Sequence, residues 1–133
     1  MAGQDRSPRS RIAGPPIDLQ ISYRLGPPLI YVKGELDHDT TGYLREMIEQ
    51  ELKESTQVLV LDFSELAYMD SGGLSLMFDT VQRFTDPGWL GVVGANSGVG
   101  RLLEITGLVD HPRFFLFADL RAAAGAIDAG GST

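Results

Sequence analysis

Asp70-Ser71-Gly72-Gly73, followed by Leu74, Met77, Phe78, Val81 and Phe84 at helical spacing, places a hydroxyl at the opening of an amphipathic helix. A helix N-terminus leaves backbone N–H groups unpaired and carries partial positive charge, so it can receive an acid or a phosphate. Ser71 stands there as a natural N-cap. Gly72 and Gly73 remove side-chain bulk beside it, which lets a partner's backbone or active site come close. On spacing alone two readings stay open: Ser71 is presented for modification, or it merely caps its helix, Ser being among the favoured caps.

The other residues able to do chemistry are carboxylates. Asp37, Asp39, Asp62 and Asp70 may be read as gathering at the carboxyl ends of strands, where α/β proteins place their sites. Clustered there they would suit Mg²⁺, as in a phosphate-handling receiver-like domain. Such a domain also needs a basic side chain after its last strand, yet the only lysines are Lys33 and Lys53. No GxxxxGK[ST] run offers a phosphate cradle for nucleotide hydrolysis. Cysteine is absent, which removes disulfides and thiolate metal sites, and His38 and His111 lack metal-ligand spacing. The expectation is therefore no cofactor, no metal and no enzymatic activity of the chain's own, with the Mg-dependent receiver-like domain as the lesser alternative.

Composition bounds the partners. The chain's 133 residues, 43% of them hydrophobic, suffice for one core and leave no room for a second domain. Net charge is −7. Arg6, Arg9 and Arg11 against Asp5 make the first seventeen residues +2, which leaves −9 for the rest. An acidic body argues against nucleic acid as the main ligand and suits a basic protein partner. No apolar run approaches the roughly 20 residues that span a bilayer, so the expectation is a cytoplasmic protein with no membrane partner.

The elements that must position Ser71 follow from periodicity. Residues 1–17, rich in Ser, Pro, Gly and Arg, are expected to form a flexible, solubilising tail, and residues 128–133 a frayed end. Leu19, Ile21 and Tyr23 alternate with polar residues, Gly26-Pro27-Pro28 turns the chain, and Leu29-Ile30-Tyr31-Val32 follows: an antiparallel opening pair. Asp37-His38-Asp39-Thr40 offers capping chemistry to a helix carrying Leu44, Met47, Ile48 and Leu52. Gln57 to Phe63, with its run Val58-Leu59-Val60-Leu61, reads as a central strand buried on both faces, and a loop through Met69 leads to the Ser71 helix. Trp89 to Ala95 is a further strand. Asn96 or Ser97 caps a third helix with Gly107 at its left-handed exit. Arg113 to Phe117 is a last strand, and a helix starting near Asp119 runs through Ile127. The aromatic residues Phe78, Phe84, Trp89, Phe114, Phe115 and Phe117 fit a core better than a ligand box. The result is an α/β domain over residues 18–127, with a mixed sheet of four to five strands and three to four helices in the order ββαβαβαβα.

The stretch Ala67-Tyr68-Met69-Asp70-Ser71-Gly72-Gly73-Leu74 resembles the phosphoacceptor motif of the STAS-domain anti-sigma-factor antagonists. Val32-Lys33-Gly34-Glu35-Leu36-Asp37, with Thr41 and Leu44, is similar to that family's second strand and following helix, and Asn96 to Leu108 to its third helix and exit. The resemblance implies a STAS-like fold and a protein that, unphosphorylated, binds an anti-sigma factor that is also a serine kinase, freeing a sigma factor. It implies phosphorylation at Ser71 by that kinase and reversal by a metal-dependent serine phosphatase. The partner surface it implies comprises Asp37, Asp70, Ser71, Gly72 and Gly73, with Asp62 bracing the approach to the acceptor. Many relatives carry Ser or Thr where this chain has Gly72. A scaffold or sensing role for the same fold is the alternative, and the domain is expected to be a monomer or weak dimer.

Overall fold

The apolar run Val58-Leu59-Val60-Leu61 is uninterrupted because it lies mid-sheet with both faces covered. The computed structural model describes residues 11–14 and 17–131, and the expectations for residues 1–10, 15–16 and 132–133 lie outside it. The strands are β1 (Arg11–Gly14), β2 (Ile17–Ser22), β3 (Leu29–Leu36), β4 (Val58–Met69), β5 (Trp89–Val93) and β6 (Phe114–Phe117). They lie in the sheet in chain order, with β1, β2 and β3 antiparallel and β3 to β6 parallel. The helices are α1 (Thr41–Glu51), α2 (Ser71–Val81), α3 (Ser97–Ile105) and α4 (Leu120–Gly131).

Two apolar clusters, one on each face, hold these layers together. On one face α1, α2 and α3 pack Leu44, Ile48, Leu76, Met77, Val81 and Leu103 against Leu19, Val32, Leu61, Phe63 and Val92. On the other, α4 places Leu120, Ala123 and Ile127 over Leu29, Val60, Val93 and Phe117. Burial of each large aliphatic side chain contributes about 1.5–3 kcal/mol, so the alternating strand pattern is the main specifier of the layers.

Four differences from the sequence expectations have physical reasons. First, the sheet has six strands, because Arg11–Gly14 of the expected tail pairs with β2, and Ile17 is a core residue only 2% exposed. An edge strand is held by backbone hydrogen bonds, which leave no mark in composition. Second, the segment after Phe63 is strand, not loop: β4 continues to Met69 through two register shifts against β3. Each shift inserts an extra β4 residue, and Gly34, at φ 115°, stands at the second, a backbone angle that favours glycine. Third, α4 runs on through Asp128 to Gly131, anchored by the packing of Ile127 and begun by Asp119, whose Oδ1 accepts from the Ala122 N–H at 2.9 Å. Fourth, Phe115 is 44% exposed on the edge strand while Phe84 and Phe114 are buried as expected. Asn96 caps α3 by accepting from the Val99 N–H at 2.8 Å, and Gly107 adopts φ 85° at its exit.

Candidate functional site

The parallel pairing of β3 with β4 brings Leu36 opposite Met69, so the two chains leave the sheet side by side. The Asp70 N–H donates to the Leu36 carbonyl at 3.1 Å, which closes this junction. The backbone stays extended through Asp70 (φ −107°, ψ −167°) and becomes helical at Ser71. A capping residue needs that extended conformation, so the cap falls on Asp70 and not, as spacing suggested, on Ser71. Asp70 Oδ1 accepts from the N–H groups of Gly72 at 2.7 Å and Gly73 at 3.3 Å, charge-assisted bonds at the positive end of α2. Ser71 is exposed as the first helical residue, and its hydroxyl makes no hydrogen bond among the described residues. The reading in which Ser71 merely caps its helix is thereby replaced: Asp70 does the capping and leaves the hydroxyl free.

The turn from Asp37 to Thr40 forms the facing wall. Asp37 Oδ1 accepts from the N–H groups of Asp39 at 2.9 Å and Thr40 at 3.1 Å. Thr40, 1% exposed, donates from Oγ1 to the Glu35 carbonyl at 2.8 Å and accepts from the Asp37 N–H at 2.9 Å. These side chains shape the turn and do not cap α1, because Thr40 has helical φ and ψ and its hydroxyl is committed to the turn. Asp37 thus stands in the turn that faces the start of α2, with one carboxylate oxygen already engaged.

The two glycines differ. Gly73 is buried, and a Cβ there would lie 2.7 Å from Met69 Cγ and 3.1 Å from the Leu36 carbonyl, so it serves the close seating of α2 on β3 and β4. Gly72 faces the Asp37 to Thr40 turn: a Cβ there would lie 3.0 Å from His38 Nδ1 and 3.1 Å from Asp70 Oδ1. His38 Nε2 is 3.7 Å from Asp70 Oδ2, with the imidazole exposed and the carboxylate largely covered. Sequence reasoning set His38 aside for want of metal-ligand spacing. Only the strand pairing that brings residue 38 against residues 70–72 reveals it.

Asp62 is not at a strand end. It lies within β4, 6% exposed, where its Oδ1 accepts from the Ser64 N–H at 2.8 Å at the first register shift. It braces the path of β4 toward Asp70, and it does not join Asp37 and Asp70. Among the described residues no three His, Asp or Glu side chains stand close enough to hold a metal ion, so the acidic cluster of the receiver-like reading is not assembled. Among the described residues no helix is long and apolar enough to cross a membrane. A cleft of about 380 Å³ between Pro28, Val58, Pro87, Trp89 and Ile127 contains none of the motif residues.

A mixed sheet with three helices on one face, and a capped helix whose first residue is an exposed serine, define the class as a single α/β domain. The chain belongs to the STAS domain family, which it matches over residues 17–123, and its relatives place it with the anti-sigma-factor antagonists of that family. It is 34% identical over 82 residues to the anti-sigma-B factor antagonist of Staphylococcus aureus, covering 61% of this chain and 76% of that one. An anti-sigma factor antagonist from Mycobacterium paratuberculosis superposes with a TM-score of 0.78 at 26% identity over 88% of this chain and 99% of its own. The Bacillus cell fate determinant SpoIIAA, in its phosphorylated form, shares the fold at a TM-score of 0.62 and 19% identity, over 81% of this chain and 98% of its own.

Proposed function

We propose that this chain is a phosphorylation-controlled anti-sigma-factor antagonist, not itself an enzyme, with Ser71 as its acceptor. Unphosphorylated, it binds an anti-sigma factor that is also a serine kinase, and so releases a sigma factor. The observation that carries the reading is the division of labour at the mouth of α2: Asp70 satisfies the helix amides, and Ser71 is left exposed with an unengaged hydroxyl. The kinase transfers the γ-phosphoryl group of ATP to Ser71 Oγ, the hydroxyl proton passes to the kinase or solvent, and ADP leaves. A metal-dependent serine phosphatase hydrolyses the ester and restores the free form. Asp37, Asp70, Ser71 and Gly72 form the partner-facing rim, with Gly73 seating the helix beneath them.

Phosphorylation adds about −1.5 to −2 charges and three acceptor oxygens. At this position the added charge lies next to Asp70 and beside the turn bearing Asp37 and Asp39, on the surface the partner must approach. A hundredfold loss of affinity requires ~2.7 kcal/mol, within reach of one desolvated like-charge contact at an interface. Incubation with the cognate kinase and Mg-ATP is expected to label the parent and not Ser71→Ala, as mapped by mass spectrometry. Calorimetric titration into the nucleotide-bound kinase is expected to show at least that hundredfold loss for the phosphorylated form. Equal affinities with an unchanged circular dichroism spectrum would favour the scaffold role instead.

A further inference from the structure

We infer that His38 is the responding side chain of the switch: its imidazole, beside Gly72 and Asp70, responds directly to a phosphate on Ser71. The inference rests on Ser71 being the acceptor. His38 lies beside the residues that flank Ser71, with Nε2 3.7 Å from Asp70 Oδ2 and Nδ1 3.0 Å from the point a Cβ on Gly72 would occupy. The absence of a side chain at position 72 is therefore matched to the presence of an imidazole at position 38. The turn carrying His38 is pinned through Asp37 and Thr40, so the backbone holds the ring at the helix mouth and does not depend on the long contact to Asp70.

The charges around the ring give it this role. Asp70 faces it from α2 with Oδ1 committed to the amides of Gly72 and Gly73, so those N–H groups are not free to neutralise a phosphate. Within its own turn stand Asp37, with Oδ1 taken by two backbone amides, and the exposed Asp39. The first turns of α1 and α2 carry no charged side chain, the last β4 residues, Ala67-Tyr68-Met69, add only a tyrosine, and the end of β3 adds the exposed carboxylate of Glu35, paired with Tyr68. A dianion at Ser71 thus adds to an already acidic rim, and the imidazole beside it is the group that answers by taking up a proton.

The test installs phosphoserine at position 71 during translation, so no kinase is needed. The imidazole signals of His38 and His111 are then titrated by NMR in the free and phosphorylated proteins. The expected result is an upward shift of the His38 pKa by about half a unit to one unit on phosphorylation. His111, whose Nδ1 accepts from the Arg113 N–H, stays unmoved as the internal control. In Gly72→Ser, and in Gly72→Ala as a second variant checked by circular dichroism, the side chain displaces the ring and the shift falls to less than half. An unmoved His38 overturns the inference, as does an equal shift in parent and Gly72 variants. Failure of a cognate kinase to label Ser71 would instead overturn the proposed function, and the titration would stand apart from it.

Discussion

Asp70 and Ser71 are neighbours with opposite obligations. Asp70 ties down two amides of α2, whereas the Ser71 side chain makes no hydrogen bond among the described residues. Removing the first should cost stability and removing the second should cost function. Asp70→Ala is expected to lose about 1 kcal/mol of unfolding free energy, the usual worth of an N-cap. Ser71→Ala should stay within about 0.5 kcal/mol of the parent, as for an exposed residue without partners. Urea denaturation of both variants reads the contrast, and equal losses would mean that Ser71 shares the cap. Gly73→Ala is a third case: its methyl would meet Met69 and the Leu36 backbone, and overpacking of this kind costs about 1–3 kcal/mol. A neutral result there would show that α2 shifts freely on the sheet.

At the scale of elements, the site depends on how far β4 runs. Two extra residues accommodated at register shifts, the first held by Asp62 on the Ser64 amide, carry β4 to Met69 and set Asp70 beside the end of β3. Salt bridges Arg45–Asp79 at 3.2 Å and Arg83–Glu49 at 2.7 Å link α1 to α2 and to the turn that follows it, but both are exposed and each is worth no more than about 1 kcal/mol. A further tie joins the end of β2 to the end of α1: the Tyr23 hydroxyl donates to Glu51 Oε1 at 2.6 Å. That bond, with burial and the Glu51 charge, raises the Tyr23 pKa from 10.0 to about 12. The protonated phenol is thus favoured by folding. Its contribution is present in full below pH 10, where both states are protonated, and is lost as pH rises through about 12. Tyr23→Phe should abolish this part of the alkaline decline in stability, measured by urea unfolding at a series of pH values from neutral to alkaline. An unchanged decline would assign it to other groups.

For the whole molecule, the position of the domain boundary matters most. Deletion of residues 1–17 removes β1 and also Ile17, a buried member of the main apolar cluster. Loss of one such aliphatic side chain alone costs about 2–5 kcal/mol, a large share of a small domain's stability. The deletion is therefore expected to lower the thermal midpoint markedly, and a midpoint equal to that of the full chain would show that the sheet tolerates loss of its first strand. The proposed switch at Ser71 stands at the opposite extreme. A phosphate there would change charge at one rim position outside the two apolar clusters, and is expected to alter partner affinity with the fold intact.

The sequence by itself determined the order of the elements and the helix that bears Ser71, because these follow from apolar periodicity and local capping residues, while the place of Asp37 beside that helix came from the family resemblance. Alternation in Leu19 to Val32 and the run from Val58 to Leu61 are direct consequences of which faces are buried. The tertiary structure decided what local pattern does not encode. Backbone pairing recruited Arg11–Gly14 into the sheet without an apolar signature, and two register shifts turned an expected loop into the second half of β4. Capping passed from Ser71 to Asp70 because the extended backbone that follows β4 ends one residue earlier than a Ser71 cap requires. His38 joined the site because strand pairing, a contact between residues distant in sequence, sets which side chains share the mouth of α2.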